Sequence, residues 1–265
     1  MKPLDGLGVV VTRPAHQAGN LVKLIERAGG RAILFPTLEI FDAQDMGPLS
    51  AVIDRLEQFD LAIFVSPNAA NKAMNLIRAR RTWPQGLRCA VVGKGSGKAL
   101  ARFGINDALV PQGRFDSEAL LAMPELQDMA GKRVVIFRGE GGRELLGEEL
   151  TRRGASITFA ECYRRGKPLA ADAGTLLHQW ARGEVGAVTV TSGESMRNLF
   201  DMIGKLGQQF LKKTPLFAFH VNIAEVAREL GMEQVFVTDA GDEGLLSGLI
   251  EWRQQSQLKT TVRSL

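Results

Sequence analysis

The hydrophobic positions of this chain form two patterns that alternate from end to end. Short, nearly continuous apolar runs occur at residues 9–11, 61–64, 134–137 and 187–190. Each run is followed by a segment whose apolar residues recur every three or four positions, which is the period of an amphipathic helix. Apolar strands that alternate with helices are typical of parallel sheets with helices on both faces. The pattern therefore predicts an α/β protein with doubly wound parallel sheets.

The same order of elements occurs twice. GVVVTRPAHQAGNLVKLIERAGGRAILFPTLEI at 8–40 is echoed by RVVIFRGEGGRELLGEELTRRGASITFAECYRR at 133–165. In both copies a strand ends in an arginine, Arg13 or Arg138, and the next helix ends at a glycine, Gly29 or Gly154, where a left-handed C-cap is expected. The segments at 60–74, 88–105 and 107–123 are echoed in turn at 186–200, 215–232 and 233–250. The chain is thus A-B-A′-B′, with a period of about 125 residues.

This repeat predicts two domains, but it allows two ways of building them. Segment A packs with B and A′ with B′, or A packs with B′ and B with A′. Irregular stretches follow the second strand of each copy, with Pro36, Pro48 and Pro168 among them. Their matched positions indicate connector strands between the domains, and a hinge of this kind is where a ligand cleft is expected.

Composition and charge exclude several classes of protein. The chain is 45% hydrophobic and 23% charged, and no apolar run approaches the ~20 residues of a membrane helix. Its first residues lack the pattern of an export signal, so we expect a cytoplasmic protein. The net charge of +4 suits an anionic partner, but the basic residues are dispersed and no nucleic-acid motif accompanies them. We therefore expect neither a nucleic-acid nor a membrane partner.

Metal and disulfide chemistry are not indicated. Cys89 and Cys162 lie far apart in apolar surroundings and are predicted to be core thiols. His16 and His178 fall in helical segments and His220 at a strand end, without the spacing of a metal site.

Polar residues and glycines at the predicted strand ends are the candidates for binding. In open α/β sheets ligands bind beyond the carboxyl ends of the strands, where unpaired helix N–H groups attract anions. Ser66, Ser192 and Asn222 have a simpler alternative as helix caps, and Asn222 with Glu225 fits a capping box. The candidates are Thr12, Arg13, Pro14, Ser66, Pro67, Asn68, Gly93, Lys94, Gly95, Ser96, Arg138, Gly139, Arg143, Thr191, Ser192, Gly193 and Asn222.

Nucleotide and hydrolase motifs are absent from these strand ends. GEGGRE at 139–144 places Glu144 where a dinucleotide fingerprint needs its last glycine, and GKGSGK at 93–98 lacks the spacing of a P-loop. No Gly-x-Ser-x-Gly elbow is present. Tyr163, the single tyrosine, lies in a connector segment, where packing and a hydroxyl aimed into the cleft are the two alternatives.

Taken in order, these segments resemble uroporphyrinogen-III synthases. The resemblance rests on VVVTRP, PTLEI, FVSPNAA, VVGKGSGKALARFGI, VIFRGEGGRELL, GASITFAECYRR and VTVTSGESMRNLF, and it covers roughly residues 8–250. It implies a monomer of two flavodoxin-like domains from an internal duplication, joined by a two-stranded connector. Domain 1 would comprise residues 1–36 and 174–265, domain 2 residues 45–160, and the connector strands residues 37–44 and 161–173.

The resemblance also implies a reaction. Hydroxymethylbilane, a linear tetrapyrrole with eight carboxylates, would lose water and close to uroporphyrinogen III with ring D inverted through a spiro intermediate. This hydro-lyase step belongs to the biosynthesis of haem, sirohaem and cobalamin, and it uses neither a metal nor an organic cofactor. Transient contact with the preceding bilane-forming enzyme is a further expectation.

By the same resemblance, Tyr163 would assist loss of the hydroxyl group as an acid or hydrogen-bond donor. The substrate carboxylates would be bound at the strand ends, by Thr12, Arg13, Ser66, Asn68, Gly93, Ser96, Arg138, Gly139, Arg143, Thr191, Ser192 and Asn222. The chain departs from the family pattern at His220–Asn222 and at Gly193–Glu194, where Glu194 would disfavour a nearby carboxylate.

Two other functions remain compatible with the repeat. The first is a binding protein or sensor that closes on an anionic small molecule without chemistry. The second is a sugar-phosphate or nucleotide enzyme, which the missing phosphate motifs disfavour.

Overall fold

The computed structural model describes residues 2–263, and the side chains of residues 2–258. It divides into two compact units. Unit 1 comprises Met1–Glu39 and Gly166–Leu265, and unit 2 comprises Ile40–Arg165. The chain therefore leaves unit 1 once and returns to it once.

Unit 1 contains a five-stranded sheet in the order β10-β9-β8-β1-β2, and its strand pairs are parallel. Strands from the first and last parts of the chain thus share one sheet, which is the A plus B′ pairing. The strands are β1 Gly8–Val11, β2 Arg31–Leu34, β8 Ala187–Val190, β9 Leu216–Ala218 and β10 Val235–Val237. The helices are α1 Ala15–Arg27, α7 Ala173–Ala181, α8 Gly193–Met202, α9 Gly204–Lys213, α10 Val221–Glu229 and α11 Gly241–Arg263.

Unit 2 contains the second five-stranded sheet, in the order β3-β7-β6-β4-β5. The pairs β4 with β5, β4 with β6 and β6 with β7 are parallel. The strands are β3 Glu39–Asp42, β4 Leu61–Phe64, β5 Arg88–Val91, β6 Arg133–Gly139 and β7 Ser156–Gly166. The helices are α2 Gly47–Ile53, α3 Pro67–Arg80, α4 Lys94–Ala101, α5 Ser117–Leu121 and α6 Leu145–Arg152, with short 3-10 turns at Leu56–Gln58 and Pro124–Leu126.

The apolar strands are continuous because both faces of each sheet are covered. On one face of the second sheet Phe64 stacks on Phe137, with ring centroids 4.8 Å apart. On the other face Ile63 and Ile136 join a separate buried cluster. The predicted fold class, α/β with two parallel-sheet domains, is confirmed.

The predicted glycine C-caps and the predicted core thiols are confirmed as well. Gly29 and Gly154 have φ of 93° and 90°, so each ends its helix in the left-handed region that glycine enters without a Cβ clash. Cys89 and Cys162 are buried free thiols. Within the described residues, no helix is long and apolar enough to cross a membrane.

The structure differs from the sequence pattern in two places. The segment 107–123 forms only a single bridge, between Ala90 and Leu109, whereas its counterpart 233–250 contains strand β10. Pro111, two residues after Leu109, lacks the N–H that a longer ladder needs. The predicted capping box at Asn222 is wrong, because α10 begins at Val221 and its cap is His220, whose Nδ1 accepts from the Asn222 N–H at 3.3 Å.

Candidate functional site

The parallel order of the second sheet brings three predicted site residues together. Strand β6 lies between β4 and β7, and Gly139 is its last residue. Ser66 follows β4, and Tyr163 pairs with Gly139 on β7 after a register shift at Arg138. Because the carboxyl ends of parallel strands meet at one sheet edge, side chains distant in sequence become neighbours.

Tyr163 is held in place by both neighbours. Its side chain is buried, at 5% exposure, and its hydroxyl oxygen lies 3.1 Å from Ser66 Oγ. A Cβ built at Gly139 would lie 2.7 Å from Cε2 and Cζ of the tyrosine ring. The ring therefore occupies the space that any other residue at position 139 would fill.

Ser66 connects this tyrosine to the start of helix α3. Its backbone is extended, and its Oγ accepts a hydrogen bond from the Ala69 N–H at 3.1 Å, with Pro67 at the first helical position. This confirms the predicted cap, which satisfies one of the unpaired N–H groups at the helix start. The Tyr163 hydroxyl thus lies beside the positive end of a helix dipole.

A cavity of about 240 Å³ opens beside these residues, entirely within unit 2. It brings together five of the predicted site residues: Ser66, Arg138, Gly139, Arg143 and Tyr163. Its lining is completed by Val65, Val92, Ser117, Gly142, Leu146 and Arg165. Three arginines and three hydroxyl groups make this cavity suited to an anionic or hydroxyl-bearing group.

Arg138 and Arg143 differ in their exposure and in their contacts with the protein. The Arg138 side chain is 10% exposed and pairs with Glu161 at 3.2 Å. Its guanidinium also donates to the Gly142 carbonyl at 3.1 Å and lies 3.9 Å from the Phe159 ring centroid, while its buried Nε has no partner within the described structure. Arg143 is exposed, so its charge faces solvent at the cavity wall.

Three of the unit 2 residues predicted to bind substrate carboxylates do not line this cavity. Asn68 lies in the first turn of α3 and is half-buried. Gly93 is the cap of α4, and Ser96 lies in the first turn of that helix with 2% exposure.

In unit 1 the predicted residues at the β1 end are engaged with the protein itself. Thr12 is fully buried and donates to the Thr189 carbonyl at 2.9 Å. Arg13 pairs with Asp242 in the first turn of α11, and the other oxygen of Asp242 accepts from Asn20 at 2.8 Å. The guanidinium of Arg13, which was expected to bind a substrate carboxylate, is thus paired with Asp242.

The other unit 1 candidates follow β8 and β9. Ser192 caps α8 by accepting from the Ser195 N–H at 3.0 Å, which confirms the predicted cap, and Thr191 precedes it. Asn222 is exposed in the first turn of α10. Glu194, the predicted departure at this helix end, is exposed in the first turn of α8.

Sequence reasoning missed Ser117, Gly142 and Arg165 as cavity residues. Arg165 had a usable signal, because residues two apart on a strand share a face and Tyr163 lies two positions before it on β7. Ser117 had none, since it reaches the cavity from the start of α5 only through tertiary packing.

The thiol of Cys162, which precedes Tyr163 in the sequence, is unreactive at neutral pH. Burial raises the pKa of Cys162 to about 12, so it remains a protonated thiol at neutral pH. Among the described residues, no group of three or more histidine, cysteine or acidic side chains is arranged to hold a metal ion. The polar side chains that line the cavity carry hydroxyl and guanidinium groups.

Comparison with known proteins points to one family. The family model described as "Uroporphyrinogen-III synthase HemD" matches residues 19–247. The uroporphyrinogen-III synthase of Escherichia coli K12 is 35% identical over 242 residues, which cover 91% of this chain and 98% of that protein. The enzyme of the same name from Salmonella typhimurium is also 35% identical, with the same coverage.

Solved structures of this kind share the fold. A mutant uroporphyrinogen III synthase from the extremely thermophilic bacterium Thermus thermophilus superposes with a TM-score of 0.61 at 20% identity, covering 95% of this chain and 99% of that one. The uroporphyrinogen-III synthetase of Helicobacter pylori gives 0.57 at 14% identity, with coverages of 93% and 99%.

Proposed function

This chain belongs to the uroporphyrinogen-III synthase family, and we propose that it closes hydroxymethylbilane to uroporphyrinogen III as a dehydrating, cyclising lyase. The hydroxymethyl group of the linear tetrapyrrole loses its hydroxyl as water, and ring D is inverted through a spiro intermediate. The observation that carries the proposal is the Tyr163 hydroxyl, held 3.1 Å from Ser66 Oγ at the wall of a cavity lined by arginines.

Tyr163 is the proposed catalytic residue. It donates its proton to the leaving hydroxyl, so that the carbon–oxygen bond breaks with its electron pair on oxygen and water departs. The pyrrole nitrogen stabilises the resulting cation, and the ring D carbon that carries the bridge to ring C attacks it, which forms the spiro intermediate. The bond between that carbon and the bridge then breaks, and the bridge rejoins ring D at its unsubstituted α-carbon, which inverts the ring. This second carbon loses its proton, which restores the phenol and balances the reaction.

The cavity volume supports a site for one end of the substrate. About 240 Å³ lies below the range of pockets that enclose a drug-sized ligand, so it accommodates part of a tetrapyrrole and not the whole. Arg143 and Arg165 at its wall suit the acetate or propionate group of that pyrrole ring, because a guanidinium binds a carboxylate through two parallel hydrogen bonds.

The proposal extends to the other predicted carboxylate contacts. Arg13 and Arg138 already bind internal carboxylates, so in this arrangement they act mainly by shaping the strand ends. The backbone N–H groups that begin α3, α4, α8 and α10 remain suited to anions. The remaining predicted substrate contacts are Thr12, Asn68, Gly93, Ser96, Thr191, Ser192 and Asn222.

We further propose a cytoplasmic monomer that uses no metal or organic cofactor. Its functional domains would be residues 1–36 with 174–265 and residues 45–160, with connector strands at 37–44 and 161–173. It would receive its unstable substrate from the preceding bilane-forming enzyme during a transient contact.

The decisive experiment separates product isomers. Purified protein is supplied with hydroxymethylbilane, and the product is oxidised and resolved by chromatography. We expect isomer III, whereas spontaneous closure yields isomer I. Isomer I alone, at the uncatalysed rate, would refute the enzyme and favour a binding protein for an anionic ligand.

A further inference from the structure

We infer that Ser66 is a positioning residue for Tyr163, because its hydroxyl donates to the tyrosine oxygen and so leaves the phenolic proton for the substrate. The catalytic meaning of this inference rests on the proposed reaction. Its geometric part rests on the contacts of two hydroxyl groups and can be tested separately.

The hydrogen bonds at Ser66 limit the roles that its hydroxyl group can take. A serine hydroxyl has one proton to donate and two lone pairs to accept with. Ser66 Oγ accepts from the Ala69 N–H at 3.1 Å, and its other neighbour is the Tyr163 oxygen at 3.1 Å. No further partner of this oxygen occurs among the side chains the structure describes. Either hydroxyl can donate across this contact. When the phenolic proton is directed to the substrate, Ser66 is the donor, and this is the direction that the inference requires.

The second copy of the repeat shows the same hydroxyl in the same pattern. Ser192, the counterpart of Ser66, accepts from the Ser195 N–H at 3.0 Å and donates to Ser195 Oγ at 3.0 Å. The counterpart of Ser195 is Ala69, which offers no side-chain oxygen. In unit 2 the side-chain oxygen within reach of the cap hydroxyl is that of Tyr163 instead.

The tyrosine itself is particular to one copy. Its counterpart in the first segment is Leu38, which has no hydroxyl group. Unit 2 thus differs from unit 1 at two matched positions, with Ala69 in place of Ser195 and Tyr163 in place of Leu38. These two differences place a phenol beside the serine that caps the helix.

This arrangement prepares Tyr163 for proton donation. With Ser66 as the donor, the Tyr163 oxygen accepts, the ring is held against Gly139, and the phenolic proton remains available to the substrate. As the proton moves to the leaving hydroxyl, negative charge develops on the phenolic oxygen, and the Ser66 hydrogen bond strengthens. A substrate carboxylate at this helix end would then be bound by backbone N–H groups and arginines, since the Ser66 proton is engaged.

Three variants test the direction of this hydrogen bond. Ser66→Ala removes the donor and should lower kcat about ten-fold, the effect of one net hydrogen bond, with little change in KM. Ser66→Thr keeps both the cap and the donor and should retain kcat. Ala69→Ser keeps Ser66 but offers its proton the acceptor found in unit 1, and it should lower kcat while the helix remains capped.

Two controls separate positioning from helix stability. Asp172→Ala removes the cap of α7, where the carboxylate accepts from the Thr175 N–H at 3.1 Å, and it should leave kcat unchanged. Because the chain has one tyrosine, incorporated 3-fluorotyrosine reports only on Tyr163. Its fluorine resonance should shift in Ser66→Ala and Ala69→Ser and remain in place in Ser66→Thr.

The outcomes distinguish the inference from the proposed function. Wild-type protein that forms isomer III, with Ser66→Ala at full kcat or with an unmoved fluorine resonance, overturns the inference and leaves the function standing. Equal losses of kcat in Ser66→Ala and Ser66→Thr also overturn it. Wild-type protein that yields only isomer I overturns the function, and with it the catalytic part of the inference.

Discussion

Gly139 and Tyr163 lie in contact across strands β6 and β7, with the tyrosine ring in the place of a side chain at position 139. A Cβ there would lie 2.7 Å from two ring carbons and 3.1 Å from the hydroxyl oxygen. Position 139 requires glycine because the Tyr163 ring approaches too closely for a side chain. Ring position and hydroxyl position are therefore fixed by a neighbour that contributes no side chain.

Gly139→Ala should displace the Tyr163 ring and lower kcat about 100-fold, because misplacing a reacting group by about 1 Å costs that much. Steady-state kinetics with isomer analysis measures the effect. Gly19→Ala is the matched control, since a Cβ at Gly19 in α1 would meet no atom within 4 Å. Full turnover by a folded Gly139→Ala protein would show that the ring position is not important.

Arg13 and Asp242 should contribute mainly to stability. Their side chains are 17% and 11% exposed, and removing one partner of a buried pair costs about 3–5 kcal/mol. Arg13→Ala and Asp242→Ala should therefore lower the free energy of unfolding by similar amounts in urea titrations, and the double variant by much less than their sum.

The control for this pair is Lys72, which pairs with Asp42 at 37% and 70% exposure. Lys72→Ala should cost less than about 1 kcal/mol, as is usual for exposed pairs. An Arg13→Ala protein of native stability but with strongly raised KM would instead assign Arg13 to the substrate.

Arg143→Gln should raise KM for the bilane about ten-fold with little effect on kcat, since an exposed guanidinium at the cavity wall contributes carboxylate binding. Unfolding free energy should change by less than about 0.5 kcal/mol. Arg102→Gln alters an exposed arginine that does not line this cavity and should leave KM as it is. Equal effects of both substitutions would indicate general electrostatic attraction and no specific contact.

Glu149 should stabilise unit 2 in a pH-dependent way. Hydrogen bonds from Arg152 and Arg153 lower the pKa of Glu149 to about 2 from its ordinary 4.5. A carboxyl group with a depressed folded-state pKa contributes stability above its unfolded pKa and loses it as the pH falls. The stability difference between wild type and Glu149→Gln, from urea titrations, should be constant above about pH 5 and vanish toward pH 2. A difference that persists at pH 2 would contradict the ion-pair explanation.

Cys89 and Cys162 should resist thiol reagents in the folded protein. Burial raises the pKa of each thiol to about 12, and the thiolate is the reactive form. A chromogenic disulfide reagent should detect no rapid thiol at pH 8 and two after denaturation. Rapid labelling of native Cys162 would indicate local opening beside Tyr163.

The prediction of the site from sequence was strongest where local chemistry decides. Ser66 and Ser192 were predicted as caps because each precedes a predicted helix and a serine side chain accepts from the free N–H groups of a helix start. Both are caps. Asn222 failed as a cap because His220, two residues earlier, takes that position. Local pattern identifies a helix start but not which of two nearby side chains turns toward the free N–H.

The sequence by itself determined the α/β class, the duplication and the residues at the strand ends, because apolar periodicity and glycine positions are local properties. Only the tertiary structure decided that A shares a sheet with B′, since both pairings bury the same apolar strands. It also decided that Arg13 pairs with Asp242, and that Tyr163 lies between Gly139 and Ser66. These contacts join residues far apart in the chain, and they form only when parallel strands bring their carboxyl ends to one edge of a sheet.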